Sequence, residues 1–214
     1  MTPFTDIYAF LYACFSAPGA KLFLELGAHV GSDTAKLAAL PGVTLHIFEP
    51  YAPNLAQIPA YPNVVRNAMA VAAVDGVAPF HVSGSTDGVP FTYGSSLYAP
   101  APHLATAYSE IVFDETVTVP TITLDTYVHQ HRLERIDFIW ADTQGAERDL
   151  ILGGRRALAR TRYLYTEYAE PPLYVGQPSR AEILALLPGW RVVADWPSGE
   201  AYDDILLENT GYAP

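Results

Sequence analysis

The sequence predicts an α/β fold, a mostly parallel sheet with helices on both faces. Short β-branched or aromatic runs alternate with stretches of helical periodicity along most of the chain, and turn residues or acids stand where the strands should end. At 214 residues, half of them apolar, the chain suits one domain, 1–214, with a single sizeable core. Within it, 1–20 reads as an N-terminal helical extension and 76–120 as an insertion of hairpins and loops.

The elements follow in order. "IYAFLYACF", Ile7 to Phe15, is an apolar helix that should pack on the main body. Strand one is Leu22–Leu26, followed by a turn from Gly27 to Gly31 and a helix through Leu40 that Pro41 and Gly42 stop. "VTLHIFEP" is strand two. Three prolines between Ala52 and Asn63 shorten the next helix, and "VVRNAMAV", Val64–Val71, is strand three. From Gly76 to Pro120 the chain turns rich in Ser, Thr, Tyr, Gly and Pro, with alternating pieces such as "FHVS" and "VTVPTITL". Regular alternation then resumes with a helix over Asp125–Arg132, strand four "IDFIWADT", a helix over Gly145–Ala159 and strand five "RYLYTEY". A helix in "PSRAEILALLP" and two strands, "WRVVADW" and "DDILLEN", complete the chain, the last two close enough for an antiparallel pair.

In such sheets ligands bind beyond the carboxyl ends of the strands. The Gly27-Ala28-His29-Val30-Gly31 turn lets backbone approach a ligand, and Glu49, closing strand two, is placed to accept hydrogen bonds from both hydroxyls of a ribose. A nucleoside cofactor is the expectation. A dinucleotide fingerprint would need glycine at His29 and glycine or alanine at Ser32, which disfavours NAD. A sulfonium cofactor has no pyrophosphate, and Glu25 would supply negative charge near its amino group, which favours S-adenosylmethionine.

"LELGAHVGSDT", "IFEP", "TLDTY" and "IDFIWADTQGAERDLILGG" resemble, in order and spacing, the motifs of the FkbM-like family of S-adenosylmethionine-dependent methyltransferases, over roughly Leu22–Asn209. The resemblance implies a Rossmann-like seven-stranded class I methyltransferase sheet with an antiparallel last strand, and methyl transfer to a hydroxyl of a sugar or other small hydroxylated metabolite. Two positions depart from the family: Trp140 replaces its usual lysine, which suggests an aromatic wall near the acceptor, and Gln144 stands where an acid is common. The expected cofactor-binding set is Glu25, Gly27, Ala28, Gly31, Glu49, Ala68, Ser96 and Asp142.

Asp142, at the end of strand four, is the first candidate for general base, with Glu167 and His29 as further catalytic candidates. If Asp142 and Glu167 converge they form a hard oxygen site for Mg²⁺ or another divalent cation, with Glu170 a third ligand. Glu147, in the first turn of its helix, reads equally as a cap and as a functional acid, and Asp125 reads as an N-cap. Tyr168, Tyr174 and Trp196 are candidates to stack on a sugar ring. A nicotinamide-dependent oxidoreductase and a non-catalytic nucleoside-binding module remain the alternatives, the latter because of Trp140.

A formal net charge of −11 argues against nucleic acid and anionic membrane surfaces as partners. Cys14 stands alone, so there is no intrachain disulfide, and its expected place is the interior. The nine-residue apolar segment near the start is too short to span a bilayer and lacks the basic flank of a secretory signal. The expectation is a cytoplasmic enzyme with a small-molecule or glycan hydroxyl acceptor.

Overall fold

A computed structural model describes residues 4–213; Met1–Pro3, at the head of the expected extension, and Pro214 lie outside them. The chain runs α1 (Ile7–Phe15), β1 (Lys21–Leu26), α2 (Thr34–Ala38), β2 (Val43–Phe48), α3 (Ala52–Gln57), β3 (Val64–Asn67), β4 (Ala70–Val71) and β5 (Gly76–Ser85). It continues through α4 (Pro102–Ala107), β6 (Ile111–Ile122), α5 (Leu124–Gln130), β7 (Ile136–Ala141), α6 (Glu147–Gly153), α7 (Arg155–Leu158), β8 (Thr161–Tyr168), α8 (Arg180–Leu186), β9 (Trp190–Pro197) and β10 (Asp203–Asn209).

Seven strands form the main sheet in the order β3-β2-β1-β7-β8-β10-β9. The first five of these are parallel to one another, and β10 runs antiparallel to both β8 and β9. Strand parity divides the core into two layers, because successive side chains leave opposite faces. Leu24, Leu26, Ile139 and Leu164 point to the layer covered by α5 to α8, while Phe23, Phe138, Tyr163 and Leu206 point to the layer covered by α1 and α2. The aromatic helix α1 seals that second layer: Phe10 meets Tyr163 edge-on at 5.0 Å and Phe15 meets Phe23 at 4.9 Å. Asp6 caps α1 by accepting from the N–H of Ala9.

Several expectations are corrected. Strand three does not run to Val71. Asn67 donates through its side chain to the Ile47 carbonyl and ends β3, after which Ala70–Val71 joins a second sheet, β4-β6-β5. The alternating pieces around Val117 belong to one twelve-residue strand, β6, paired antiparallel with β5. The helix expected over Gly145–Ala159 is broken in two at Gly153 and Gly154, where a Cβ on Gly153 would lie 2.3 Å from the Ala72 carbonyl oxygen. The helix after the glycine turn is a single turn and a half, α2, rather than one reaching Leu40. Asp125 does not cap its own helix, since Thr123 does; its carboxylate instead accepts from the N–H groups of Arg156 and Ala157 at the start of α7. Cys14 is exposed, not interior, because it falls on the outer face of α1. Among the described residues no helix is long and apolar enough to cross a membrane.

Candidate functional site

Every strand end that the site uses belongs to one edge of the sheet. β1 delivers Glu25 and then Gly27, whose φ of +88° suits only glycine and whose added Cβ would lie 1.8 Å from the Asp142 carbonyl oxygen. The ends of β1 and β7 are therefore in backbone contact, and Asp142 donates its N–H to the Leu26 carbonyl. Gly31, at φ +86°, fits against Ile58, and the turn between the two glycines arches over the end of β2, with the N–H groups of Gly27 and Ala28 on the Phe48 carbonyl.

Glu49 follows β2 and is buried. One carboxylate oxygen accepts from the His29 N–H and the other from the Tyr51 N–H, each at 2.8 Å. Burial nevertheless raises its carboxyl to about 7. Glu25 is buried beneath the turn, accepts from the Thr34 hydroxyl at 2.6 Å, and is raised by burial to about 8. His29 has φ +49°. Its Nε2 lies 2.7 Å from the Thr92 hydroxyl, which spends its own hydrogen on Asn54; the ring therefore donates from Nε2, and its buried Nδ1 has no partner. Burial lowers its pKa.

Two clefts open over this edge. The first is narrow and is bounded by Gly27, Phe48, Glu49, Met69, Phe80 and Leu97, with Asp142 also in its lining. The second and larger, about 430 Å³, is walled by Phe91, Tyr93, Tyr108, Tyr174 and Tyr202, and again has Asp142, with Glu167, in its lining. Asp142 is thus common to the linings of both clefts.

Around that point the side chains form one hydrogen-bonded unit. The Gln144 amide nitrogen donates to Asp142 at 2.6 Å and to Glu167 at 3.2 Å, so one NH₂ group spans both carboxylates. Its amide oxygen lies 2.8 Å from the Tyr174 hydroxyl, and its backbone carbonyl accepts from Ser96 at 2.6 Å. Burial raises Asp142 to about 7, with Glu147 and Asp204 adding repulsion; burial and then the charge of Asp142 raise Glu167 well above the carboxylate range.

The structure brings Gly27, Glu49, Asp142 and Glu167 together and sets the other expected residues around them. Ala28 is buried in the turn, Ala68 is exposed, and Met69 and Ala70 line the first cleft in its place. Ser96 is fully buried and ties Gln144, while its neighbour Ser95 faces the cleft. His29 lines neither cleft, although its ring packs against Tyr93, tilted by 39° with centroids 4.0 Å apart, and Tyr93 lines the second. Glu147 is buried, with one oxygen accepting from Thr143 and Gly145 and the other unpartnered. Trp140 lines neither cleft: it is buried on the α1 side, between Tyr8 and Tyr165. Of the three stacking candidates only Tyr174 lines the larger cleft; Tyr168 lies beside Asp195, and Trp196 donates to the Phe4 carbonyl. Glu170 accepts from the Arg180 N–H, and among the described residues no group of three or more His, Cys, Asp or Glu is placed to hold a metal. Sequence reasoning noted Gln144 only as a departure from the family's pattern; its position two residues after Asp142 was the available signal.

The model of the methyltransferase FkbM domain matches residues 25–201. The 2-O-methyltransferase NoeI of Sinorhizobium fredii (strain NBRC 101917 / NGR234) is 36% identical over 195 residues, covering 88% of this chain and 79% of that protein. Among solved structures, the N-terminal domain of EvdMO1, crystallised with SAH and D-fucose, aligns with a TM-score of 0.51 at 16% identity over 95% of this chain and 81% of its own. A putative rRNA methylase from Clostridium thermocellum aligns with a TM-score of 0.52 at 9% identity over 94% of each chain. These two structural likenesses concern the fold.

Proposed function

Because the chain belongs to the FkbM methyltransferase family, whose members use S-adenosylmethionine, we propose that it methylates a hydroxyl of a sugar or another small hydroxylated metabolite, with Asp142 as the general base. The observation that carries this reading is that Asp142 lines both clefts, so a donor seated in one and an alcohol seated in the other would meet beside its carboxylate. The residues present fit the donor. Glu49 offers a buried carboxylate for the ribose hydroxyls, and Phe48, Met69, Phe80 and Leu97 offer apolar walls for a purine. Glu25 adds a buried acid behind the amino end of the ligand.

When bound, the cofactor supplies a methyl group made electrophilic by its sulfonium. Asp142 takes the hydroxyl proton as the alcohol oxygen attacks, and its pKa near 7 suits a base at neutral pH. Gln144 holds Asp142 in place and ties it to Glu167, whose carboxyl burial and the neighbouring Asp142 push well above the ordinary carboxylate range. The tyrosines of the larger cleft orient the acceptor and exclude water. The carboxylates that would hold a divalent cation are already bridged by an amide NH₂, which supports a base acting without metal. The net charge of −11 and the acidic cleft support a small-molecule or glycan acceptor over nucleic acid.

Labelled-methyl transfer to a panel of glycosides tests this. Asp142→Asn is expected to lose activity about 10²- to 10⁴-fold while S-adenosylhomocysteine binding, followed by calorimetry, changes only severalfold. Wild-type turnover is expected to persist in excess EDTA. Full activity of the variant removes Asp142 as base, and loss of turnover with EDTA that added Mg²⁺ restores returns the cation to the pair.

A further inference from the structure

The larger cleft carries an electrostatic signature that bears on the form in which the acceptor arrives. Asp142 and Glu167 are half-buried in its lining, Glu110 and Glu200 are exposed where it meets solvent, and no Lys, Arg or His is among the described residues that line it. The remaining lining is aromatic and apolar, with the hydroxyls of Tyr108 and Tyr202 among its polar atoms. The nearby arginines Arg148 and Arg180 are paired with Glu182 and Asp195, away from the cleft. A substituent that leaves such a cleft on the side of Glu110 and Glu200 meets two further acids.

We propose that the acceptor is a sugar already released from phosphate, presented as a neutral or amine-bearing glycoside, so that a reaction of the glycosyl-transfer class precedes methylation. This rests on the acceptor reading given above and goes beyond it. Phosphate and diphosphate groups are ordinarily met by arginine forks, lysines or runs of free backbone N–H. Here a sugar phosphate or a nucleoside-diphosphate sugar would bring one to two further negative charges to a cleft that already holds four carboxyl groups and has no cation to receive them. An uncharged glycoside meets no such penalty, and an ammonium on the sugar gains from the same field. The tyrosine walls suit either, since the apolar faces of sugar rings stack on aromatic rings whatever the charge.

The experiment compares matched acceptors on the full chain with labelled S-adenosylmethionine: methyl glycosides of hexoses, 6-deoxyhexoses and 2-amino-2-deoxyhexoses, and the 1-phosphates and nucleoside-diphosphate forms of the same sugars. The expected result is kcat/KM at least about tenfold lower for every phosphorylated form than for its methyl glycoside at low ionic strength, the gap shrinking in high salt. The Glu110→Gln, Glu200→Gln double variant is expected to narrow the same ratio severalfold. Phosphorylated acceptors that match or exceed their glycosides overturn the inference and leave the methyltransferase reading standing. Absence of transfer to every member of the panel, with S-adenosylhomocysteine bound normally, overturns the acceptor reading itself and the inference with it.

Discussion

Gln144 is held from three directions. Its backbone sits at φ +50°, its carbonyl is tied by Ser96, and its amide oxygen is met by Tyr174, so its NH₂ group has little freedom except to face Asp142 and Glu167. An amide that donates to a carboxylate stabilises the charged form, and Gln144 lowers both acids against the burial that raises them. Gln144→Leu removes both donors and leaves the repulsion. The acidic limb of the kcat/KM profile is then expected to move up by roughly one pH unit, with cofactor affinity little changed. A limb that stays in place shows that the amide does not set the protonation of the base. Asp142 and Glu167 were legible in the sequence because they close strands, where ligands of parallel sheets bind. The part played by Gln144 was not legible, because it depends on a left-handed turn and on a tyrosine thirty residues further along. Trp140 was misread for a related reason: strand parity sends it towards α1, and only the register with Glu25 and Tyr165 reveals which layer that is.

The glycine turn after β1 borders the first cleft through Gly27. Its first residue lies where β1 and β7 approach most closely, and the backbone there is left-handed. Gly27→Ala asks a side chain to adopt φ +88° and to occupy space 1.8 Å from the Asp142 carbonyl oxygen, so the strand ends must part. The expected cost is about 3 kcal/mol or more in urea unfolding, accompanied by loss of S-adenosylhomocysteine binding. Wild-type stability and affinity in this variant contradict the close approach. Elements of this kind were readable from local pattern: the turn, the parallel strands and the antiparallel C-terminal pair all follow from glycine placement and alternation. The departure of the chain from the main sheet after Asn67 was not readable, since Ala70–Val71 is apolar in either sheet and its partner, β6, lies fifty residues away. The break between α6 and α7 was marked by Gly153-Gly154, where the backbone must pass close to Ala72.

At the scale of the whole molecule, the protein gathers buried acids at one edge of the sheet and opposes them with hydrogen bonds, not cations. Glu25 is raised by burial to about 8, Glu49 and Asp142 to about 7, and Asp204 to about 6, each above its ordinary value. A carboxyl raised in the folded state binds more protons there than in the unfolded chain between the two pKa values, so stability falls as pH rises through that interval. For the ligand-free protein the window runs from about 4.5 to about 8. Exposed acids such as Glu182, lowered by the Ser179 N–H and by Arg148, act the other way, but only as pH drops into the acid range. The melting temperature of the free protein is therefore expected to peak near pH 5 and to fall by at least about 4 °C towards pH 8. With the donor held as proposed, ribose hydroxyls on Glu49 and an ammonium near Glu25 would stabilise the charged forms, so saturating S-adenosylhomocysteine is expected to flatten this decline and to bind more tightly as pH rises from 6 to 8. Thermal melts across that range with and without the ligand measure both effects. A free protein that grows more stable towards pH 8 shows that these carboxyls are ionised in the fold and that the acidic edge is neutralised by groups other than those described.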